Sequence, residues 1–402
     1  MQTISAPAAA ASPSRVGVRP EIELFLCCAR TRLDEGRVAR LHQLLDGALN
    51  WDFILSFAES HSLIPLLYFH LHARAPEKVP PHVYEKLREQ FRRISALNMY
   101  LSGELRRLLK LFAAHDVAAI PYKGPALAAQ AYGNIALRHF GDLDILVRQR
   151  DVLRVMKLLV AEGYELHPPL NGVQQALMLR TQCNLPFTRD AHRLIVEIHW
   201  RVSARLFSSP LDEDALWENL RTDTFEKTQI NALAPEDLLL SLCVHGAKHL
   251  WERLSWITDI AQLLEVHTDL NWPGLLERAR RTGTERMLLL GLHVAHDLLG
   301  ARLPEQVEVQ LQADPEIARL ADQIYARLFA GGDEASGMSG YFIFQLKARR
   351  RLRDKFNYCR YVVSPTEEDL TLLSLPAPLS FIYYLLRPLR MLWTGGPSHL
   401  QH

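Results

Sequence analysis

Residues 138–147 read RHFGDLDILV and place Asp142 and Asp144 one residue apart inside an apolar run. The alternation predicts a β-strand, and because residues i and i+2 of a strand point the same way, both carboxylates share one face. A carboxylate that is buried without a partner is costly and tends to become neutral. The stretch therefore predicts a site for a compensating cation on one face of a buried strand.

A second acidic strand is predicted downstream. Residues 185–200 read LPFTRDAHRLIVEIHW and indicate two strands joined by a turn at residues 190–192. The second of them encloses Glu197 between apolar neighbours, which makes it a third ligand if the strands are adjacent. Three oxygen ligands favour Mg²⁺ or Mn²⁺ over Zn²⁺, and such sites serve phosphoryl or nucleotidyl transfer. His199 shares the face of Glu197 and either orients that carboxylate, contacts the substrate or is a satisfied strand-end histidine.

A strand-to-helix junction precedes the acidic strand at Lys123-Gly124-Pro125. Free backbone N–H groups at such a junction favour a phosphate, with Gly124 permitting close approach and Lys123 adding a point charge. Pro125 has no N–H and weakens this cradle. Arg138 either meets a triphosphate bidentately or neutralises Asp142, and Lys123 is otherwise a solvated lysine.

Composition and the spacing of apolar residues divide the chain into four predicted parts. These are a disordered leader at 1–19, a helical region at 20–115, a small core of strands and helices at 116–202, and nearly uninterrupted helices at 203–402. The expected fold class is α+β, with a small mixed β-sheet core between helical regions.

Charge and composition narrow the possible partners. Forty-six Lys and Arg residues face 45 Asp and Glu residues, so no global field attracts nucleic acid. Five scattered cysteines without a CxxC pair favour a reducing, cytoplasmic setting. The run KARRRLRDK at 347–355 is interpreted as one solvated basic helix, which leaves nucleic acid disfavoured. The segment at 379–393 is too short to span a membrane, and packing on the protein itself is favoured over lying on a bilayer.

Residues 123–147, KGPALAAQAYGNIALRHFGDLDILV, resemble the core of the nucleotidyltransferase superfamily that includes DNA polymerase beta and the aminoglycoside and protein adenylyltransferases. The order Lys-Gly, Arg, Gly-Asp-x-Asp is similar to a bacterial family described as uncharacterised nucleotidyltransferases. The resemblance implies that Lys123 and Gly124 open the nucleotide-binding helix, that Asp142 and Asp144 bind divalent metal, and that Glu197 is a third, base-like carboxylate. The chain departs from the superfamily pattern where proline follows the glycine.

A later helix, starting at Pro235, carries a polar stripe formed by Ser241, His245, Lys248 and Glu252. In related nucleotidyltransferases a helix after the core closes over the nucleotide, so Lys248 or His245 could reach a phosphate; the alternative is a solvated face. His245 and His249 have zinc-protease spacing, but Gly246 stands where the catalytic glutamate belongs, which excludes that class. Asp259 is expected to fix the next helix by packing and capping.

The expected function is Mg²⁺-dependent transfer of an NMP, AMP from ATP in the first instance, to an acceptor hydroxyl, with release of pyrophosphate. The sequence does not identify the acceptor. Two alternatives remain: a non-catalytic module of the same fold that binds a nucleotide or a partner, and a glycosyltransferase that uses an Asp-x-Asp strand. The latter requires a larger α/β region ahead of Asp142.

Overall fold

The computed structural model describes residues 19–190, 194–207, 213–330, 338–373 and 375–394. The predicted leader, residues 1–19, lies outside these ranges apart from Arg19, as do two of the three residues of the predicted turn at 190–192.

The chain begins with five helices that form the N-terminal helical region: α1 (Pro20–Cys28), α2 (Glu35–Leu45), α3 (Trp51–Ser60), α4 (Ile64–Arg74) and α5 (Pro81–Ala114). Helix α5 has 34 residues, which gives it a length of about 51 Å. Its first turns pack through Val83 and Leu87 into one hydrophobic core, and its last turns pack through Leu105 and Phe112 into a second core around the sheet. The helix therefore joins the two cores.

The segment after α5 forms a five-stranded sheet with its helices: β1 (Ala119–Pro121), α6 (Gly124–Tyr132), β2 (Asp142–Val147), α7 (Val152–Ala161), β3 (Glu165–Leu166), α8 (Gly172–Thr181), β4 (Asn184–Arg189) and β5 (Leu194–His199). The strand order is β1-β2-β5-β4-β3. Strands β2 and β5 are parallel, and the other neighbouring pairs are antiparallel. This mixed sheet between helices confirms the predicted α+β class.

The alternation of β2 explains how the sheet is covered. Leu143 and Ile145 are fully buried in the core that contains the end of α5. Leu146, on the opposite face with Asp142 and Asp144, belongs to the other core. Both faces of the strand are thus covered, as the near-continuous apolar run requires, and the two aspartates emerge on the face opposite to α5.

The C-terminal region contains a feature that the sequence reading missed. Its helices are α9 (Glu213–Glu218), α10 (Pro235–Lys248), α11 (Leu254–Val266), α12 (Trp272–Thr282), α13 (Glu285–Leu299), α14 (Glu305–Gln312), α15 (Pro315–Ala330), α16 (Met338–Lys347), α17 (Leu352–Val362), α18 (Glu367–Leu372) and α19 (Ile382–Thr394). The expectation of nearly uninterrupted helices is wrong, because β6 (Arg221–Phe225) and β7 (Thr228–Ala232) form a hairpin. Its turn residues Glu226 and Lys227 both have positive φ, so the hairpin forms without the usual Gly or Asn signal.

The basic run at 347–355 is not one helix, contrary to the prediction. Helix α16 ends at Lys347 and α17 begins at Leu352. Between them Arg349 is 1% exposed and donates to the Phe207 carbonyl at 2.6 Å. Arg350 pairs with Glu285. Part of this charge therefore has internal partners that a run of basic letters does not reveal.

The C-terminal helix packs on the protein through its arginines. Arg387 is buried and lies 3.4 Å from Asp369, and Arg390 donates to the other oxygen of Asp369 at 2.5 Å. Tyr384 and Leu385 of α19 remain exposed. In the described part of the chain, no helix combines the length and the apolar run that crossing a bilayer demands.

Candidate active site

Three acidic side chains meet where β2 lies beside β5. The parallel register places Asp144 directly opposite Glu197, so both carboxylates project from the same face of neighbouring strands. Asp144 is 5% exposed, while Asp142, at the first position of β2, is partly exposed. The structure thus brings the three sequence-predicted acids to one side of the sheet.

His199 joins these acids. Its Nε2 lies 2.9 Å from Asp144 Oδ1 and 3.1 Å from Glu197 Oε2. One ligand atom each of Asp144, Glu197 and His199 falls within 4.8 Å of the others, an arrangement that could hold a metal ion. Among the described residues this group does not include Asp142, the third predicted ligand. Of the roles considered for His199, orientation of Glu197 agrees with this contact. The contact with Asp144 was not anticipated, because it crosses from one strand to the next.

Lys123 and Gly124 approach the acids from β1. Strand β1 runs antiparallel to β2, and the Tyr122 amide just beyond it faces the Asp144 carbonyl. Lys123 Nζ consequently lies 3.3 Å from Asp144 Oδ1. Gly124 has φ +51°, and a Cβ atom there would lie 3.1 Å from the Asp142 carbonyl oxygen. A glycine is therefore needed for α6 to begin against β2.

Asp142, Asp144 and Glu197, with Lys123 and His199, are called the carboxylate cluster below. Burial raises the pKa of Asp142 to about 7, and the charges of Asp144 and Glu197 add to the effect. Burial opposes ionisation of Asp144 as well, but Lys123 and His199 hold its pKa well below the usual range.

Burial acts against the charged form of His199, yet its contact with Asp144 raises the pKa of His199 well above the usual value. The carboxylate cluster therefore contains three acids, and Lys123 and His199 are the cationic groups in contact with Asp144.

Two further residues support the carboxylate cluster and were not singled out from the sequence. Asn184 on β4 donates its Nδ2 hydrogen to Glu197 Oε2 at 2.7 Å. The Tyr122 hydroxyl lies 3.2 Å from His199 Nδ1. The signal for Tyr122 was its position beside Lys123; Asn184 could be found only from the pairing of β4 with β5.

Arg138 takes part in a separate ion pair. Its Nε and Nη2 donate to the two carboxylate oxygens of Asp259 at 2.8 and 2.9 Å. The Tyr132 hydroxyl donates to Asp259 Oδ1 at 2.6 Å. Burial disfavours the charge of Arg138, but Asp259 raises its pKa above the usual range. The ion pair of Arg138 and Asp259, together with the Tyr132 hydroxyl that donates to it, is called the arginine pair below.

The arginine pair corrects one expectation and adds a partner. Asp259 lies inside α11 rather than at its end, so the expected capping role is wrong, and the residue instead ties α11 to α6 and to the start of β2. Neither of the two roles considered for Arg138 included Asp259. The 121 residues between them explain why no local pattern indicated the contact.

The end of α10 lies near the carboxylate cluster. Burial, followed by the positive charges of Lys123, His249 and Lys248, lowers the pKa of His245 well below its usual value. The His245 ring meets the Trp256 ring edge-on at 5.2 Å. Ser241 is 1% exposed, so this polar stripe is not simply a solvated face. Lys123 and Lys248 therefore both act on the space beside His245.

Comparison with known proteins agrees with this arrangement. A family model described as uncharacterised nucleotidyltransferase matches residues 47–300, which is more than half of the chain and contains the carboxylate cluster, the arginine pair and α10. No curated protein and no solved structure matches the chain. A general nucleotidyl-transfer function follows from the family match, and the chain therefore belongs to the family of uncharacterised nucleotidyltransferases.

Proposed function

We propose that the protein is a Mg²⁺- or Mn²⁺-dependent enzyme of the DNA polymerase beta-like superfamily. It transfers an NMP, AMP from ATP in the first instance, to a hydroxyl group of a small-molecule or protein acceptor and releases pyrophosphate. The observation that carries the proposal is the grouping of Asp144, Glu197 and His199, whose ligand atoms all lie within 4.8 Å of one another on adjacent parallel strands. A cytoplasmic setting is part of the proposal, because the five cysteines are free thiols.

The donor atoms of the cluster fit a divalent cation. Asp142, Asp144 and Glu197 supply hard carboxylate oxygens, which suit Mg²⁺ or Mn²⁺. These three residues would hold the ion, and His199 is within reach of two of them. Such an ion neutralises triphosphate charge and stabilises the charge that develops on the attacking and leaving oxygens.

The neighbouring side chains complete a nucleotide site in this proposal. Lys123 supplies a cation to a phosphate, and the first turn of α6 directs its dipole and its free amides toward the same position. Pro125 lies in that turn without an N–H, so Gly124 and Ala126 are the amides that remain. Lys248, at the end of α10, supplies a second cation.

Glu197 receives the acceptor hydroxyl in this mechanism. Although burial favours its neutral form, the close contact with His199 lowers the pKa of Glu197. Its carboxylate is therefore ionised at neutral pH and able to accept a hydrogen bond from the incoming hydroxyl. Asn184 holds the same carboxylate from β4, which restricts its orientation.

One observation favours a second candidate, a non-catalytic binding module. His199 already lies between Asp144 and Glu197, and Pro125 removes one amide from the phosphate cradle.

A glycosyltransferase, the other alternative, is disfavoured by the structure. Between residues 19 and 141 the structure contains one strand, β1, of three residues, and it is antiparallel to β2. The large α/β region that a nucleotide-sugar enzyme needs is not present there.

Metal-dependent release of pyrophosphate from each of the four NTPs tests the proposal, with cell lysate as the source of acceptor. The parent protein is compared with the Asp142→Asn, Asp144→Asn double variant. Asp52→Asn, Asp269→Asn is the matched control, because it makes the same charge change at two exposed positions. We expect release by the parent and the control only, and labelled nucleotide then marks the acceptor. NTP binding by calorimetry without release by the parent would favour the binding module.

A further inference from the structure

A second polar site lies beside the residues that follow β2 and β5. A cavity of about 740 Å³ lies between the segment that follows β5, the end of α8 and the end of α17. Four arginines line it: Arg180, Arg201, Arg205 and Arg360. Among the described residues that line this cavity there is no Asp or Glu. A protein with a net charge of +1 therefore concentrates four positive charges around one space.

The arginines reach the cavity from different elements. Arg180 lies in the last turn of α8 and Arg360 in the last turn of α17. Arg201 follows β5 and donates to Gln149 Oε1 at 2.7 Å, which anchors it beside the end of β2. Gln182 just after α8 donates to the Pro365 carbonyl at 2.9 Å. The two helix ends are thus held next to each other by the fold.

Three of the four arginines, Arg180, Arg205 and Arg360, have no carboxylate partner among the described residues. Arg138 and Arg286 each bind both oxygens of an aspartate. In contrast, no ion pair within the described ranges joins Arg180, Arg205 or Arg360 to a carboxylate. The negative ends of the helix dipoles at α8 and α17 offset this charge in part, since each is equivalent to about half a charge. The remaining charge favours an anion.

The walls between the arginines are apolar. Leu179, Leu206, Val363 and the ring of Tyr384 line the same cavity. Its volume lies within the range of about 300–1,000 Å³ that is usual for small-molecule sites. A guanidinium group matches the geometry of phosphate through two parallel hydrogen bonds. The lining thus offers anion contacts and an apolar surface together.

We propose that this cavity binds the phosphate group of an organic phosphate whose remaining part is apolar or aromatic. The inference does not depend on nucleotidyl transfer, because no member of the carboxylate cluster lines the cavity. The phosphate comes either from a soluble ester or from a phospholipid headgroup. With either source, the apolar part of the ligand meets the apolar side chains Leu179, Leu206 and Val363 of the lining.

Two probes distinguish the sources. Phenyl phosphate, with phenol as the uncharged analogue, is titrated calorimetrically in the presence of EDTA. Co-sedimentation is measured with vesicles of phosphatidylglycerol in phosphatidylcholine and with phosphatidylcholine vesicles alone. The test variant is Arg180→Gln, Arg205→Gln, Arg360→Gln, and the matched control replaces three exposed arginines elsewhere, Arg32→Gln, Arg92→Gln, Arg93→Gln. Circular dichroism verifies folding, and Arg360→Gln alone serves as a milder second variant.

We expect the parent to bind at least one phosphate probe, the test variant to bind it at least tenfold more weakly, and the control to remain within twofold of the parent. Binding of phenyl phosphate identifies a soluble ester as the source, and binding of the anionic vesicles alone identifies a lipid headgroup. The proposal is overturned if the parent binds neither probe or if the control loses as much affinity as the test variant. The Asp142→Asn, Asp144→Asn variant retains the binding even if pyrophosphate release is never observed.

Discussion

The carboxylate cluster and the arginine pair are both buried and both charged, but they differ in charge balance. In the arginine pair, one guanidinium meets both oxygens of one carboxylate, and Tyr132 adds a further hydrogen bond. In the carboxylate cluster, three acids face two cations, and the pKa of Asp142 rises to about 7 through burial and through its acidic neighbours. Burial alone therefore does not distinguish the two clusters; the pairing of their charged groups does, and a group with a strongly perturbed pKa in a cleft is a candidate for function.

The largest difference between the two clusters is expected in activity. Asp142→Asn removes one of the proposed cation ligands, so we expect nucleotidyl transfer to fall by roughly 1,000-fold. The free energy of unfolding should change by no more than about 1 kcal/mol, because burial and the acidic neighbours already disfavour the ionised form of Asp142. Pyrophosphate release and urea denaturation measure the two quantities. A large loss of stability would mean that Asp142 is mainly structural.

The arginine pair should show the opposite behaviour. Asp259→Asn leaves the buried Arg138 guanidinium without its counter-charge, and breaking such a pair costs roughly 3–5 kcal/mol. We expect a lower melting temperature and a lower urea midpoint. The variant that remains folded should release pyrophosphate at a rate within a few-fold of the parent at 20 °C. If activity falls while stability is kept, Arg138 has a role at the substrate.

A lower pH should destabilise the folded protein at the start of α11, the helix that carries Asp259 of the arginine pair. The Leu254 amide at the start of α11 donates to His61 Nδ1 at 3.2 Å, and burial, with Arg253, lowers the pKa of His61 to about 4. The imidazole of the unfolded chain takes up this proton near its ordinary pKa of 6.5, so the stability that the neutral, buried ring contributes is present above pH 6.5 and is lost as the pH falls toward 4. The difference is roughly 3 kcal/mol. Urea denaturation at several pH values should show a flatter profile for His61→Gln.

The smallest difference between the two clusters is expected when the tyrosine beside each, Tyr132 or Tyr122, is replaced. Tyr132→Phe removes one hydrogen bond to Asp259, so we expect a stability loss of about 1–2 kcal/mol and unchanged transfer. Tyr122→Phe removes the hydroxyl beside His199 Nδ1 and should lower transfer by roughly tenfold, since that contact orients the ring. Matched melting curves and initial rates compare the pair. Equal effects on rate would remove the distinction between the clusters.

The sequence predicted the parts of the site that depend on strand periodicity. The spacing of Asp142 and Asp144 placed both on one face of β2, and the alternation around Glu197 indicated the neighbouring strand. The α+β class followed from the same patterns and is confirmed. These predictions succeeded because a period of two is a local property that survives folding.

The remaining contacts join positions that are distant in sequence. Lys123 meets Asp144 through the β1–β2 pairing, and Arg138 meets Asp259 through the packing of α11 on α6. The β6–β7 hairpin was missed because its turn, Glu226-Lys227, lacks the residues that usually adopt positive φ. The prediction of one solvated basic helix at 347–355 was wrong because Arg349 is buried between two helices. Tertiary structure decided each of these cases, and local composition could not indicate it.

The parallel pairing of β2 with β5 has a consequence for the order of folding. Two antiparallel strands that are joined by a tight turn can begin to pair at that turn. Asp144 and Glu197 lie on parallel strands, so they come into register only after the chain between them has folded back across the sheet. That intervening chain includes α7, α8 and β4. A nascent chain that ends before β5 therefore exposes two aspartates without their third partner, so the proposed cation site forms late, in one of the slow, non-local steps of folding.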